Sequence, residues 1–180
     1  MQSVRLMSMK VSAVIVLSFF LSSCVIKDDL PSQWGPLNSK CSDITILLNN
    51  MGLSSSDYGE NKLSKLLVPN AEFGYRAEQI KVRAFTELNR LDIELVYDSK
   101  TVETLTLNTE EFKGCENGGY VVARSALSNS GGALGKEWWE FKLYFTPDYL
   151  IISKKKGVVG TLFFVPMAGT EIQWLRFDKA

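Results

Sequence analysis

The 180-residue chain contains no histidine. Its absence removes Ser-His-Asp and Cys-His nucleophilic catalysis and every histidine-based metal site. No sign of charge dominates either: 20 basic residues face 20 acidic ones, so nothing here steers the protein toward nucleic acid. Cysteine is scarce at three residues and proline at five. The apolar stretch from Val11 to Phe20 is interrupted only by Ser12 and Ser18 and falls well short of the roughly 20 residues a membrane-crossing helix needs. What is plentiful is apolar and aromatic character, 46% and 11% of residues, which argues for a folded core and against a disordered chain.

The short apolar run follows Arg5 and Lys10, which have no acidic partner, and it ends in Leu21-Ser22-Ser23-Cys24. A basic region, a brief apolar region and small residues before a cleavage point are the pattern of a secretory signal. Leu-Ser-Ser-Cys resembles the lipobox of bacterial lipoproteins, whose cysteine receives a diacylglyceryl group and becomes the first residue after cleavage. The resemblance implies acylation of Cys24 and firm attachment, since even two membrane signals give stable anchoring. Val25, not Asp, follows the cysteine. By the same resemblance the destination is the outer membrane, on its periplasmic face. Removal of residues 1–23 takes two basic residues and leaves a slight acidic excess.

With Cys24 acylated, Cys41 and Cys115 are the remaining thiols in an oxidising compartment, and a disulfide is the simplest state of an even pair. Two reduced thiols or a metal pair are the alternatives; without histidine, carboxylates would have to complete a metal site, which suits zinc poorly. No cofactor is expected.

Residues 24–40, with Pro31, Gly35 and Pro36, read as a lipidated tether, and residues 41–180 as one β-rich periplasmic domain. "ITILL" is a first strand ended by "NNMG". "NKLSKLL" at 61–67 fits a short helix that Asn61 is placed to cap. Residues 76–97 carry both helical and alternating spacings and are read as two strands. A hairpin turning at Asp98-Ser99-Lys100 follows. "EWWEFKLYF" alternates most clearly: Trp139, Phe141, Leu143 and Phe145 are assigned to the core, and Trp138, Glu140, Lys142 and Tyr144 outward. "SNSGGALGK", "KKKG" and "PMAGT" read as loops between "YVVARSAL", "EWWEFKLYF", "YLIIS", "TLFFV" and "EIQWLRF". The expectation is an all-β protein: a single antiparallel sandwich or barrel of about eight strands with one short helix, after the signal and tether.

The lipobox, the tether, Cys41-Ser42-Asp43-Ile44 leading to Asn and Gly, the central Lys113-Gly114-Cys115, and the ending Trp174-Leu175-Arg176-Phe177 together resemble small uncharacterised proteobacterial lipoproteins. The resemblance carries over no catalytic or binding residue.

Few stretches suggest chemistry. "SGGALGKE" at 130–137 departs from a phosphate loop at Ser130 and Glu137, and reads as a hairpin loop. Ser153 and Lys156 have Ser-Lys spacing within a charge run but lack accompanying motifs. Glu110 and Glu111 are adjacent, so on an extended chain they point apart. Candidate binding residues are an outward Trp138 and the run Lys154-Lys155-Lys156, the latter either a solvated turn or a contact for anionic headgroups. The expected role is a non-enzymatic binding or assembly component, attached to the membrane through its N-terminal lipid anchor, with an envelope protein partner and no nucleic acid. A small barrel holding an apolar ligand and a carboxylate-based hydrolase are the alternatives.

Overall fold

The structure is a computed structural model that describes residues 24–37, 40–56, 61–107, 109–130, 133–162 and 165–180. The expected signal, residues 1–23, lies outside the described residues. Among the described residues there are eleven strands: β1 Cys24–Lys27, β2 Ile44–Asn49, β3 Leu53–Ser54, β4 Gln79–Phe85, β5 Arg90–Tyr97, β6 Lys100–Leu107, β7 Phe112–Glu116, β8 Gly119–Ser130, β9 Ala133–Phe145, β10 Tyr149–Leu162 and β11 Val165–Asp178. One α-helix, α1 Leu63–Leu67, and a 3₁₀ turn at Ser32–Trp34 accompany them. The strands form a four-stranded sheet in the order β2-β4-β5-β6 and a seven-stranded one in the order β1-β11-β10-β9-β8-β7, with β3 also paired to β11. Neither sheet closes into a barrel among the described residues, so the all-β reading holds and the sandwich is the form it takes.

Chain contacts divide the protein into a larger unit, residues 27–124, 139–155 and 172–180, and a smaller one that includes 24–26, 125–138 and 156–171. The larger unit holds the sandwich. Its four-stranded sheet aligns Ile46, Val82, Ile93 and Leu105 in one cross-strand row, and Ile44, Ala84, Leu91 and Leu107 in another. Period-two alternation puts these β-branched and aliphatic side chains on one face. They pack with Phe112, Phe141, Leu143, Leu150, Ile152, Leu175 and Phe177 from the other sheet. Each such side chain stabilises by about 1.5–3 kcal/mol when fully buried. The residues expected to be two strands within 76–97 are β4 and β5, and the hairpin from β5 to β6 turns on Asp98 and Ser99, both at positive φ (48° and 58°), as a two-residue type I′ turn requires.

Four local expectations need correction. First, Asn61 does not cap α1; no side-chain cap is formed at Lys62, and the buried Asn50 takes the role. Its Oδ1 accepts from the Ser64 N–H at 2.9 Å and its Nδ2 donates to the Ala77 carbonyl at 2.7 Å. Second, the segment read as a tether is structured over 24–37. Trp34 is buried beside Tyr144 and Ile151, and its carbonyl accepts from Tyr149 Oη at 2.9 Å. Third, that packing buries Tyr144, assigned outward by alternation, so both faces of the second half of β9 are covered. Fourth, most of "GGALGK", all of "KKKG" and all of "PMAGT" lie within β9, β10 and β11, which are longer than expected. Glycine ends strands when its conformational freedom is used; here cross-strand partners keep it extended.

Candidate functional site

The smaller unit concentrates what is unusual on this surface. Within it, alternation along β9 places Leu134, Lys136 and Trp138 on one side. The Trp138 indole lies over Gly157 of β10, so closely that a Cβ there would fall 2.2 Å from the ring. Val159, two residues on from Gly157, therefore shares that face. The opposite face of β10 carries Lys156 and Val158, and Lys156 Nζ lies 3.2 Å from Glu137 Oε2. Gly135 and Gly160 meet backbone to backbone: a Cβ on Gly160 would sit 2.6 Å from the Gly135 Cα. Such an approach tolerates glycine alone.

Exposed apolar side chains are dense here. Val25, Ile26, Leu127, Leu134, Val158, Val159 and Met167 are all exposed, with Leu127 at 88%. Isolated exposed aliphatics need no explanation, but a group of them on a few adjacent strand segments marks an interaction surface. A shallow groove of about 240 Å³ runs among Ile26, Gly157, Val158, Gly169 and Thr170, with Lys156 and Glu171 at its polar limits. Between Lys156 and Glu171 the sequence has no charged residue, nor has it between Arg124 and Lys136.

The sequence-predicted residues fall as follows. Trp138 is half-buried over Gly157 rather than outward, because glycine leaves room for the ring on the neighbouring strand. Trp139 is half-buried against the core, as assigned. Lys154, Lys155 and Lys156 occupy successive positions of β10 instead of a turn, so they alternate between faces and form no common patch. All three are half-buried; Lys154 Nζ reaches Gln173 Oε1 at 3.4 Å. Cys24 opens β1. Cys41 and Cys115 form the expected disulfide, S–S 2.06 Å and Cα–Cα 6.1 Å.

Two carboxylates that sequence reading passed over lie buried on the outer face of β5. Asp92 accepts from Arg90 Nε at 2.9 Å and from Thr106 Oγ1 at 2.7 Å. Glu94 pairs with Arg83 and, at 3.7 Å, with Lys81. The Arg90 hydrogen bond holds the Asp92 carboxyl below the ordinary carboxylate range, against the opposing effect of burial; Thr106 and the charges of Arg90 and Arg83 add to the lowering. The face is a ladder of paired charge across β4, β5 and β6. Glu111 is likewise engaged, by Arg124 Nε at 2.7 Å, while the Arg124 guanidinium also donates to the Leu66 carbonyl at 2.6 Å and to that of Leu67. Arg124 thus holds the end of α1. Among the described residues, no three histidine, cysteine or carboxylate side chains converge as a metal site. No described helix is long and apolar enough to cross a membrane.

The chain matches no protein-family profile, no curated protein and no solved structure.

Proposed function

We propose that the protein is a bacterial lipoprotein of the cell envelope, anchored through an acylated Cys24 at the periplasmic face of the outer membrane, with a non-enzymatic binding or assembly role. The observation that carries this reading is the division among three cysteines. Cys41 and Cys115 are joined as a disulfide, the state expected of an oxidising compartment, while Cys24 follows Leu-Ser-Ser behind a basic and apolar leader. The non-enzymatic part rests on the engagement of Asp92, Glu94 and Glu111 in ion pairs and on the exposed apolar character of the smaller unit.

The test is Cys24→Ser, compared with the parent in bacterial cells by membrane fractionation and by mass spectrometry of the N-terminal peptide. The parent should carry the mass of thioether-linked acyl chains and sediment with outer membranes. The variant should accumulate as an uncleaved or soluble form. A variant processed and fractionated like the parent overturns the anchor. Crosslinking in native membranes, followed by affinity purification, then identifies what the protein binds.

A further inference from the structure

We infer that the smaller unit seats itself in a lipid bilayer at the headgroup–acyl boundary, as a second membrane contact alongside the acyl chains. The inference rests on the lipid-anchor reading above and adds a surface to it. Three observations carry it. Val25 and Ile26 directly follow the acyl acceptor and are exposed at 64% and 65%, and Ile26 lines the same groove as Gly157, Val158 and Gly169. Acyl chains on Cys24 would therefore leave from this surface and hold it against the bilayer. Next, the apolar exposure is two-sided. Leu134 and Val159 lie on one face, exposed at 60% and 53%, and Val158 on the other at 38%. Lipid at the headgroup–acyl boundary can cover both faces at once. Finally, charge is absent across two long stretches of the unit and returns at Lys136, Glu137, Lys156 and Glu171, with Lys156 and Glu137 paired. Charged groups at the limits of the apolar stretches can stay with water and headgroups while the apolar side chains between them meet the acyl boundary.

The depth is shallow for a physical reason. An open sheet leaves edge N–H and C=O groups that hydrocarbon cannot satisfy, so the strands can enter the boundary region, where water and headgroups supply partners, but not the bilayer centre.

The experiment uses full-length protein purified from bacterial membranes, with single cysteines introduced as Val158→Cys, Val159→Cys and, as a control, Leu88→Cys on the larger unit. All three positions are exposed, so the substitutions are tolerated, and the native cysteines are blocked by the disulfide and the acyl group. Each is labelled with an environment-sensitive fluorophore and mixed with phosphatidylethanolamine–phosphatidylglycerol vesicles, with and without nitroxide-bearing lipid. The inference expects blue-shifted emission and nitroxide quenching at both 158 and 159, with the label at 88 in lipid-free protein as the reference for an exposed position. A water-exposed label at 158 or 159 overturns it. A blue shift without quenching means that a second copy or another protein covers the face, and overturns it too. The mass of the N-terminal peptide, read on the same preparations, separates the two readings. Acylated protein with water-exposed labels defeats this inference alone. Unacylated protein defeats the anchor; because its Cys24 would then also take label, the surface is read in a Cys24→Ala background, where lipid-quenched labels uphold this inference and water-exposed ones overturn it.

Discussion

Asp92 occupies a position where a strand's outer face ordinarily carries a solvated side chain, yet it is 6% exposed. Its neighbours explain this: Arg90 two residues back, Arg83 opposite on β4 and Thr106 opposite on β6. Because the folded carboxyl titrates below its ordinary value of 3.8, the folded state binds fewer protons than the unfolded one near that pH. The stability Asp92 contributes is therefore fully present above about pH 3.8 and is lost as pH falls from there through the lowered folded value. Asp92→Asn should be less stable than the parent at pH 7 and should lose less stability between pH 5 and pH 2, as followed by urea unfolding across that range. Parallel curves would mean that Asp92 is not a source of the acid sensitivity. Only half of this site was legible in the sequence. Alternation in "RLDIELVY" predicts that Leu91, Ile93 and Leu95 face inward. The burial of Asp92 and Glu94 depends on cross-strand register with residues of β4 and β6, which no local pattern encodes. Asn50 is similar: it ends a strand as its sequence predicts, but the helix it caps begins 13 residues later.

At the scale of an element, β10 is the instructive case. "YLIIS" announces a strand and "KKKG" looks like its end, since glycine and a run of lysines ordinarily mark a turn. The strand continues because Lys154 and Lys156 find Gln173 and Glu137, and because Gly157 accommodates the Trp138 ring. An aromatic lying across a cross-strand glycine replaces the packing that glycine lacks. Sequence reading treats Trp138 and Gly157 as separate signals, one of exposure and one of punctuation; together they are a single packing arrangement. Gly157→Val places branched carbon where the indole ring now lies. The expected result is displacement of Trp138, seen as a red shift in tryptophan emission and a loss of near-ultraviolet dichroism. The cost should be about 1–3 kcal/mol, the usual range for overpacking. Gly157→Ala should follow in the same direction with a smaller effect. Unchanged spectra in both variants would show that the ring does not rest on Gly157.

For the molecule as a whole, the all-β class, the disulfide and the short helix were readable because each has a strong local or compositional sign: alternation, an even cysteine pair and "NKLSKLL". The lengths of β8 to β11 and the fixing of residues 24–37 were not, since they depend on partners distant in sequence. The disulfide spans a separation of 74 residues, and closing such a loop restricts the unfolded chain by about 4 kcal/mol in the entropic description. Cys41→Ser/Cys115→Ser, or reduction of the parent, should therefore lower the unfolding midpoint in urea substantially with little change in far-ultraviolet dichroism at zero denaturant. Equal midpoints for the oxidised and reduced protein would show that the crosslink adds no stability. The pairing of β11 with both β1 and β3 carries a different consequence, one of timing. The sheet β2-β4-β5-β6, whose partners lie close in sequence, can assemble early. Leu53 and Ser54 must wait for Arg176 and Leu175, and the N–H of Asp28 for the carbonyl of Ile172. That closure joins the two ends of the chain, and such non-local pairing forms late because its loop-closure entropy is lost before its contacts are gained. Until it happens, the side chains of Trp34, Tyr144 and Ile151 stay open to whatever holds the unfinished protein.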